Sequence, residues 1–201
     1  MRRTSPFLAA LLALSACSQA EPNPQAGGAK AGCETRAFAE IGGPISLIDH
    51  TGAAVTEADF KGQPSLVFFG FTYCPDVCPA ALVTIDRALK ALPEGLPTPR
   101  TILISVDPER DTPDAMTSYI STNAFPDDIV GLTGSLDAVT AAAKGFATGF
   151  ARIDAPDSLA EYTVEHSSII YLMDEDWSLK TFFTHTATAE DITECLTKQL
   201  G

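Results

Sequence analysis

Two stretches of this chain are apolar without alternation. Residues 66–71 (LVFFGF) and 101–106 (TILISV) each have the length of one strand, and the first contains no polar side chain at all. Such a run is typical of a strand buried on both faces. Between them Ala81, Leu82, Ile85, Ala88, Leu89 and Leu92 recur at helical spacing. Strand, helix and strand make a βαβ unit, which directs the chain to an α/β fold. With 201 residues, 45% of them apolar, there is material for one domain of ordinary size and little for a second.

Local signals place the remaining elements. Residues 45–48 and 53–56 flank the turn Asp49-His50-Thr51-Gly52 and predict an N-terminal β-hairpin. Thr112 and Pro113 suit the N-cap and first turn of a helix over 113–121, with a further helix over 135–144 and a strand over 146–152. Residues 168–173 and 179–183 flank the acidic turn Asp174-Glu175-Asp176-Trp177 and predict a closing hairpin. A last helix from about Ala189 puts Ile192, Cys195, Leu196 and Leu200 on one face.

The N-terminus reads as a targeting segment. Arg2 and Arg3 precede the apolar residues 6–14, and Leu14-Ser15-Ala16-Cys17 resembles the bacterial lipobox. Residues 1–16 are expected to be a lipoprotein signal peptide, and residues 17–37 a lipidated Cys17 with a flexible tether rich in Pro, Gly and polar side chains. Residues 38–201 form the domain. Acyl chains on Cys17 would hold it at the periplasmic face of a bacterial membrane. Lys and Arg number 13 against 26 Asp and Glu, and the net charge of -13 argues against nucleic acid as a partner and against an anionic lipid surface as the main one.

The chemistry concentrates in Cys74-Pro75-Asp76-Val77-Cys78-Pro79, between the first buried strand and its helix. Sites in open α/β sheets gather beyond the carboxyl ends of strands, and both thiols fall there. Each cysteine precedes a proline, so the pair is expected on a turn ahead of the helix, with Pro79 at its first position. The helix dipole lowers thiol pKa values in such a place, which serves metal binding and redox exchange alike. A structural disulfide between the two would close only a tiny loop and stabilise little. His166 stands ahead of the strand at 168–173, where thioredoxin-type oxidoreductases carry a cis-proline facing their cysteines. Two sulfurs and one imidazole suit copper, with zinc the commoner alternative on coordination grounds. His50 and His185 lie in polar, turn-like contexts and are read as solvated loop residues, with His185 a weak reserve ligand.

Three segments together resemble one family. The run Gly70-Phe71-Thr72-Tyr73-Cys74-Pro75-Asp76-Val77-Cys78-Pro79, the run Ser105-Val106-Asp107-Pro108-Glu109-Arg110-Asp111-Thr112-Pro113, and Glu165-His166-Ser167 before a strand are similar to those of the Sco/SenC copper chaperones. Gly131-Leu132-Thr133-Gly134 looks like a fourth signature. The resemblance implies a thioredoxin-like fold elaborated by a hairpin and insertions. It implies Cu(I) or Cu(II) held by Cys74, Cys78 and His166, with Asp107 in the shell around the metal. It also implies a role in building the binuclear copper centre of cytochrome c oxidase subunit II, with copper received from a periplasmic donor protein. The residues around Asp107 have a structural reading too, since Thr112 and Pro113 cap a helix and Arg110 is placed to pair with Asp107 or Asp111. Tyr73 departs from the family, many members of which have histidine there.

In an oxidising periplasm Cys33 and Cys195 are expected to form a disulfide joining the domain's entry to its last helix; the alternative is a buried free thiol at Cys195. The resemblance favours a metallochaperone over an enzyme. A dedicated thiol-disulfide reductase, keeping target copper-site cysteines reduced, is the second reading.

Overall fold

The computed structural model describes Met1, Cys33, residues 41–156 and residues 158–201. Apart from Met1, the expected signal peptide lies outside the described residues, as do Cys17 and most of the tether. No helix among those described is long and apolar enough to cross a membrane.

All six residues of β3 (Ser65–Gly70) are buried, as are the last five of β4 (Arg100–Ser105), and the two strands pair in parallel register from Ser65 opposite Arg100 to Gly70 opposite Ser105. The connecting helix α1 (Val77–Lys90) buries Cys78, Ala81, Leu82, Ile85 and Ala88. On one side the sheet continues through β5 (Ile129–Thr133), parallel to β4, and then the antiparallel hairpin β1 (Ser46–Asp49) and β2 (Ala54–Thr56). On the other, β8 (Ile169–Met173) pairs antiparallel with β3, and β9 (Leu179–Thr184) with β8. The strand order is β2-β1-β5-β4-β3-β8-β9, the helices α2 (Pro113–Ile120), α3 (Leu136–Gly145) and α4 (Ala189–Leu200) complete the domain, and the arrangement is thioredoxin-like.

Helix starts follow side-chain chemistry. Thr112 and Ser135 accept the amides of Ala115 and Ala138 at the N-termini of α2 and α3, and Thr188 and Asp191 form a reciprocal capping box on α4. The core is aromatic at its centre. Phe69, Phe146 and Tyr171 meet edge to face, and Trp177 closes over Phe60 and Phe146.

Two strands were not foreseen from sequence, β5 and β7 (Tyr162–His166). The strand expected over 146–152 is instead β6 (Phe150–Asp154), because residues 146–148 still cap α3 by donating amides back to Ala142, Ala143 and Lys144. β6 and β7 form a two-stranded ribbon of their own, with Phe150 opposite His166. His166 therefore ends a strand rather than merely preceding one.

Candidate metal centre

The cysteine loop leaves β3 at the carboxyl edge of the sheet. α1 begins at Val77, so Cys78 lies inside the first helical turn and Pro79 one position further on, not at the first helical position expected from the sequence. The proline is still tolerated, because first-turn amides have no intrahelical acceptor. The N-cap residue Asp76 makes no side-chain capping bond, and the Cys78 amide donates to Cys74 Sγ at 3.3 Å instead. The Cys74 sulfur thus takes a capping acceptor's place.

His166 Nε2 lies 3.6 Å from Cys78 Sγ, and the ligand atoms of Cys74, Cys78 and His166 all fall within 4.8 Å of one another. His166 Nδ1 contacts the Ser167 carbonyl at 3.3 Å. A carbonyl can only accept, so Nδ1 carries a proton there, and Nε2 is the ring nitrogen that faces the sulfurs. The rings of Phe68 and Phe71 stand edge-on to the imidazole, making an apolar wall. Cys78 is fully buried beneath, while Cys74 sits at the margin of solvent with 9% exposure.

The two thiols are electrostatically unequal. Hydrogen bonding from Cys78, then from His166 and the backbone amides of Cys78 and Asp76, outweighs burial and lowers the Cys74 pKa to about 4. The same bond to Cys74, reinforced by burial, pushes Cys78 far up. The two thiols thus titrate as a coupled pair that shares one proton in its first ionised state.

Gly70 makes room for that sulfur. A Cβ there would stand 3.0 Å from Cys78 Sγ, 3.0 Å from Phe68 Cε1 and 3.2 Å from Leu103 Cδ1. The loop is pinned by Asp111, which is fully buried and accepts the Thr72 amide (3.1 Å), the Thr72 hydroxyl (2.6 Å) and the Ser105 hydroxyl (2.6 Å). Burial raises the Asp111 pKa against the pull of these bonds, and the carboxylate's field reaches Cys78. Asp107 gives its two oxygens to Arg110 and to the Tyr162 hydroxyl, so its link to the site runs through those side chains. Tyr119 on α2 holds a buried hydroxyl without a hydrogen-bond partner among the described residues, within the field of both thiols.

Of the remaining histidines, His50 is less solvated than expected, since Nδ1 accepts the Gly131 amide at 3.4 Å and ties the first hairpin's turn to β5. His185 is exposed. Cys33 and Cys195 are joined by a disulfide, with Cα atoms 5.1 Å apart, whereas Cys74 and Cys78 are free. Asp111, Tyr119 and Tyr162 carried no separate signal in the sequence. Asp111 stands within the 105–113 run, but only the folded chain shows which of that run's acids faces the cysteine loop.

The family model described as SCO1/SenC matches residues 33–201. The chain is 37% identical over 162 residues to the Protein SCO2 homolog, mitochondrial, of Bos taurus, covering 79% of this chain and 59% of that protein. It is 39% identical over 158 residues to Protein SenC of Rhodobacter capsulatus, covering 79% and 70%. It spans about three fifths of the length of the mitochondrial SCO2 relatives it matches. Among solved structures, Arabidopsis thaliana ScoI with copper bound superposes with a TM-score of 0.74 at 33% identity, covering 79% of this chain and 97% of that one. Bradyrhizobium japonicum ScoI with copper bound gives 0.69 at 38%, covering 80% and 99%. With a match to the family model over the whole described domain and relatives of this identity, the chain belongs to the SCO1/SenC family.

Proposed function

We propose that this protein is a copper metallochaperone for cytochrome c oxidase assembly, with copper as its cargo on Cys74, Cys78 and His166. The observation that carries the reading is the convergence of two thiol sulfurs and one imidazole nitrogen within 4.8 Å at the mouth of the sheet. Coordination chemistry alone also admits zinc. Membership of a family with copper-bound structures tips the choice to copper.

Each residue has a part. Cu(I) on two thiolates and a neutral imidazole carries one net negative charge, and low coordination leaves room for an incoming ligand. Cys78, fully buried, is the anchor. Cys74 and the half-buried His166 lie toward solvent and can be displaced first. Cargo then leaves by ligand exchange, with one partner ligand arriving as each of these departs. The proposed recipient is the binuclear site of oxidase subunit II and the proposed source a periplasmic donor protein. The chain would be held by lipid on Cys17 at the periplasmic face of a bacterial membrane.

An anaerobic Cu(I) titration against a competing chelator is expected to show one tight site in the reduced protein, lost in Cys74→Ser, Cys78→Ser and His166→Ala. Unchanged stoichiometry in all three variants would sink the assignment. A second reading, as a dedicated thiol-disulfide reductase, draws on the unequal thiols: a low-pKa Cys74 near solvent to attack and a buried Cys78 to resolve. Reduction of a subunit II peptide disulfide by stoichiometric reduced protein, assayed without copper, separates the two.

A further inference from the structure

The ribbon of β6 and β7 carries His166, yet its strands share no backbone ladder with the seven-stranded sheet. The chain rejoins the main sheet just past His166, where the Ser168 carbonyl accepts the His185 amide and Ile169 pairs with Thr184, so the ribbon ahead of that point is not held by the sheet's own ladder. Side chains from the turn after β4 do reach the ribbon. Arg110 Nη1 donates to the carbonyls of Ala160 (3.1 Å) and Tyr162 (3.2 Å), while its Nε pairs with the buried Asp107. The Tyr162 hydroxyl donates to the other oxygen of Asp107 at 2.8 Å, and Arg152 on β6 pairs with Glu109 at 2.9 Å.

The same groups are stacked. Arg110 Cζ lies 3.7 Å and Arg152 Cζ 3.6 Å from the centroid of the Tyr162 ring. Two guanidinium groups that close to one centroid must occupy opposite faces. Arg110 also lies over the ring of Tyr73, at 4.6 Å. Tyr73 directly precedes Cys74, so the column runs from the cysteine loop through Arg110 to both strands of the ribbon. Tyr162, Val164 and His166 share one face of β7, because alternate residues of a strand do. A hold on Tyr162 thus fixes that face roughly 13 Å along the strand from His166.

Resting on the metal-site reading above, we propose that Arg110 is a positioning residue for the third ligand: with Asp107 and Tyr162 it clamps the ribbon so that His166 Nε2 stays against Cys78, and through Tyr73 it links that clamp to the cysteine loop. Arginine is required because only a planar fork can hydrogen-bond two carbonyls and a carboxylate while lying flat on aromatic rings. Asp107 thereby acts on the site without touching it, and Tyr73 gains a role in this chain as a lid on the exposed side of Arg110.

Two variants test this. Arg110→Met removes the cation and all donors; Arg110→Lys keeps the charge beside Asp107, protecting the fold, but loses the fork and the flat stack. Amide exchange in the metal-free protein is expected to speed up at least about tenfold across β6 and β7 in both, with β3 and β4 unchanged. Cu(I) affinity is expected to fall about 10- to 100-fold at unchanged stoichiometry, the usual range for residues that orient a ligand. The nitrogen coupling in the Cu(II) electron paramagnetic resonance spectrum should fade toward that of His166→Ala. Either readout, exchange or affinity, staying within about twofold of wild type in both variants overturns the proposal. Failure of the wild type itself to bind Cu(I) would defeat the metal reading, and the exchange arm alone would then decide whether the clamp exists.

Discussion

Removing the Cys33–Cys195 disulfide should cost much stability and leave the candidate metal centre intact. The bridge joins residues 162 apart in sequence, and neither Cys74 nor Cys78 takes part in it. For a loop of that length the chain-entropy relation gives about 5 kcal/mol at 25 °C, and native bridges typically deliver about 2–5 kcal/mol. The expected loss is therefore about 3–5 kcal/mol, which for a chain of this size lowers Tm by roughly 6–20 °C. The perturbation is made twice: as Cys33→Ser with Cys195→Ala, and as wild type in reductant, which removes no side chain. Trp177, the single tryptophan, is buried against Phe60 and Phe146 and reports unfolding in urea by fluorescence. Free energies rather than midpoints must be compared, because an uncrosslinked denatured chain expands and steepens the transition. Cu(I) stoichiometry should stay at one per chain in the variant. A loss below about 1 kcal/mol in both arms, with the bridge shown by mass in the untreated protein, would refute the entropic argument.

Other consequences follow from the site. Cys74 in the reduced, metal-free protein should be alkylated at pH 5 to 6, where an ordinary thiol is silent, with reactivity failing only as pH drops below about 4, because the thiolate is the nucleophile. Cys78→Ala should move that midpoint upward by removing the hydrogen-bond donor; an unmoved midpoint would contradict the shared proton. Tyr119→Phe, which deletes a buried hydroxyl without a partner among the described residues, should raise unfolding free energy by about 1 kcal/mol, and a loss of that size would show that the hydroxyl is bonded. Gly70→Ala should cost about 1–3 kcal/mol and weaken Cu(I) binding, because its Cβ would crowd Cys78 Sγ and Phe68; full retention of both would mean that the loop yields freely. Asp111→Ala should destabilise by about 3 kcal/mol or more in denaturant titration, since it strands the Thr72 amide and two hydroxyls, whereas a change under about 1 kcal/mol would mean that water replaces the carboxylate.

What the sequence determined by itself was whatever local chemistry dictates. The unbroken apolar runs of β3 and β4, the helical spacing from Ala81 to Leu89 and the cap at Thr112 were legible, because burial on both faces, helical periodicity and N-capping all act within a few residues of chain. The candidate trio was legible as well, through motifs that place Cys74 and Cys78 at a strand end and His166 near another. The ribbon was not. β6 is mostly exposed and offers no alternation, and β7 shows it only in Tyr162 and Val164, so their pairing leaves almost no local signature. The roles of neighbouring acids were equally hidden, since Asp107 and Asp111 lie four residues apart in one polar run. Only the packed chain decides that Asp111 faces Thr72 and the cysteine loop while Asp107 faces Arg110 and Tyr162. That choice depends on groups roughly 40 to 55 residues away in sequence, brought within hydrogen-bond reach by the sheet and the ribbon.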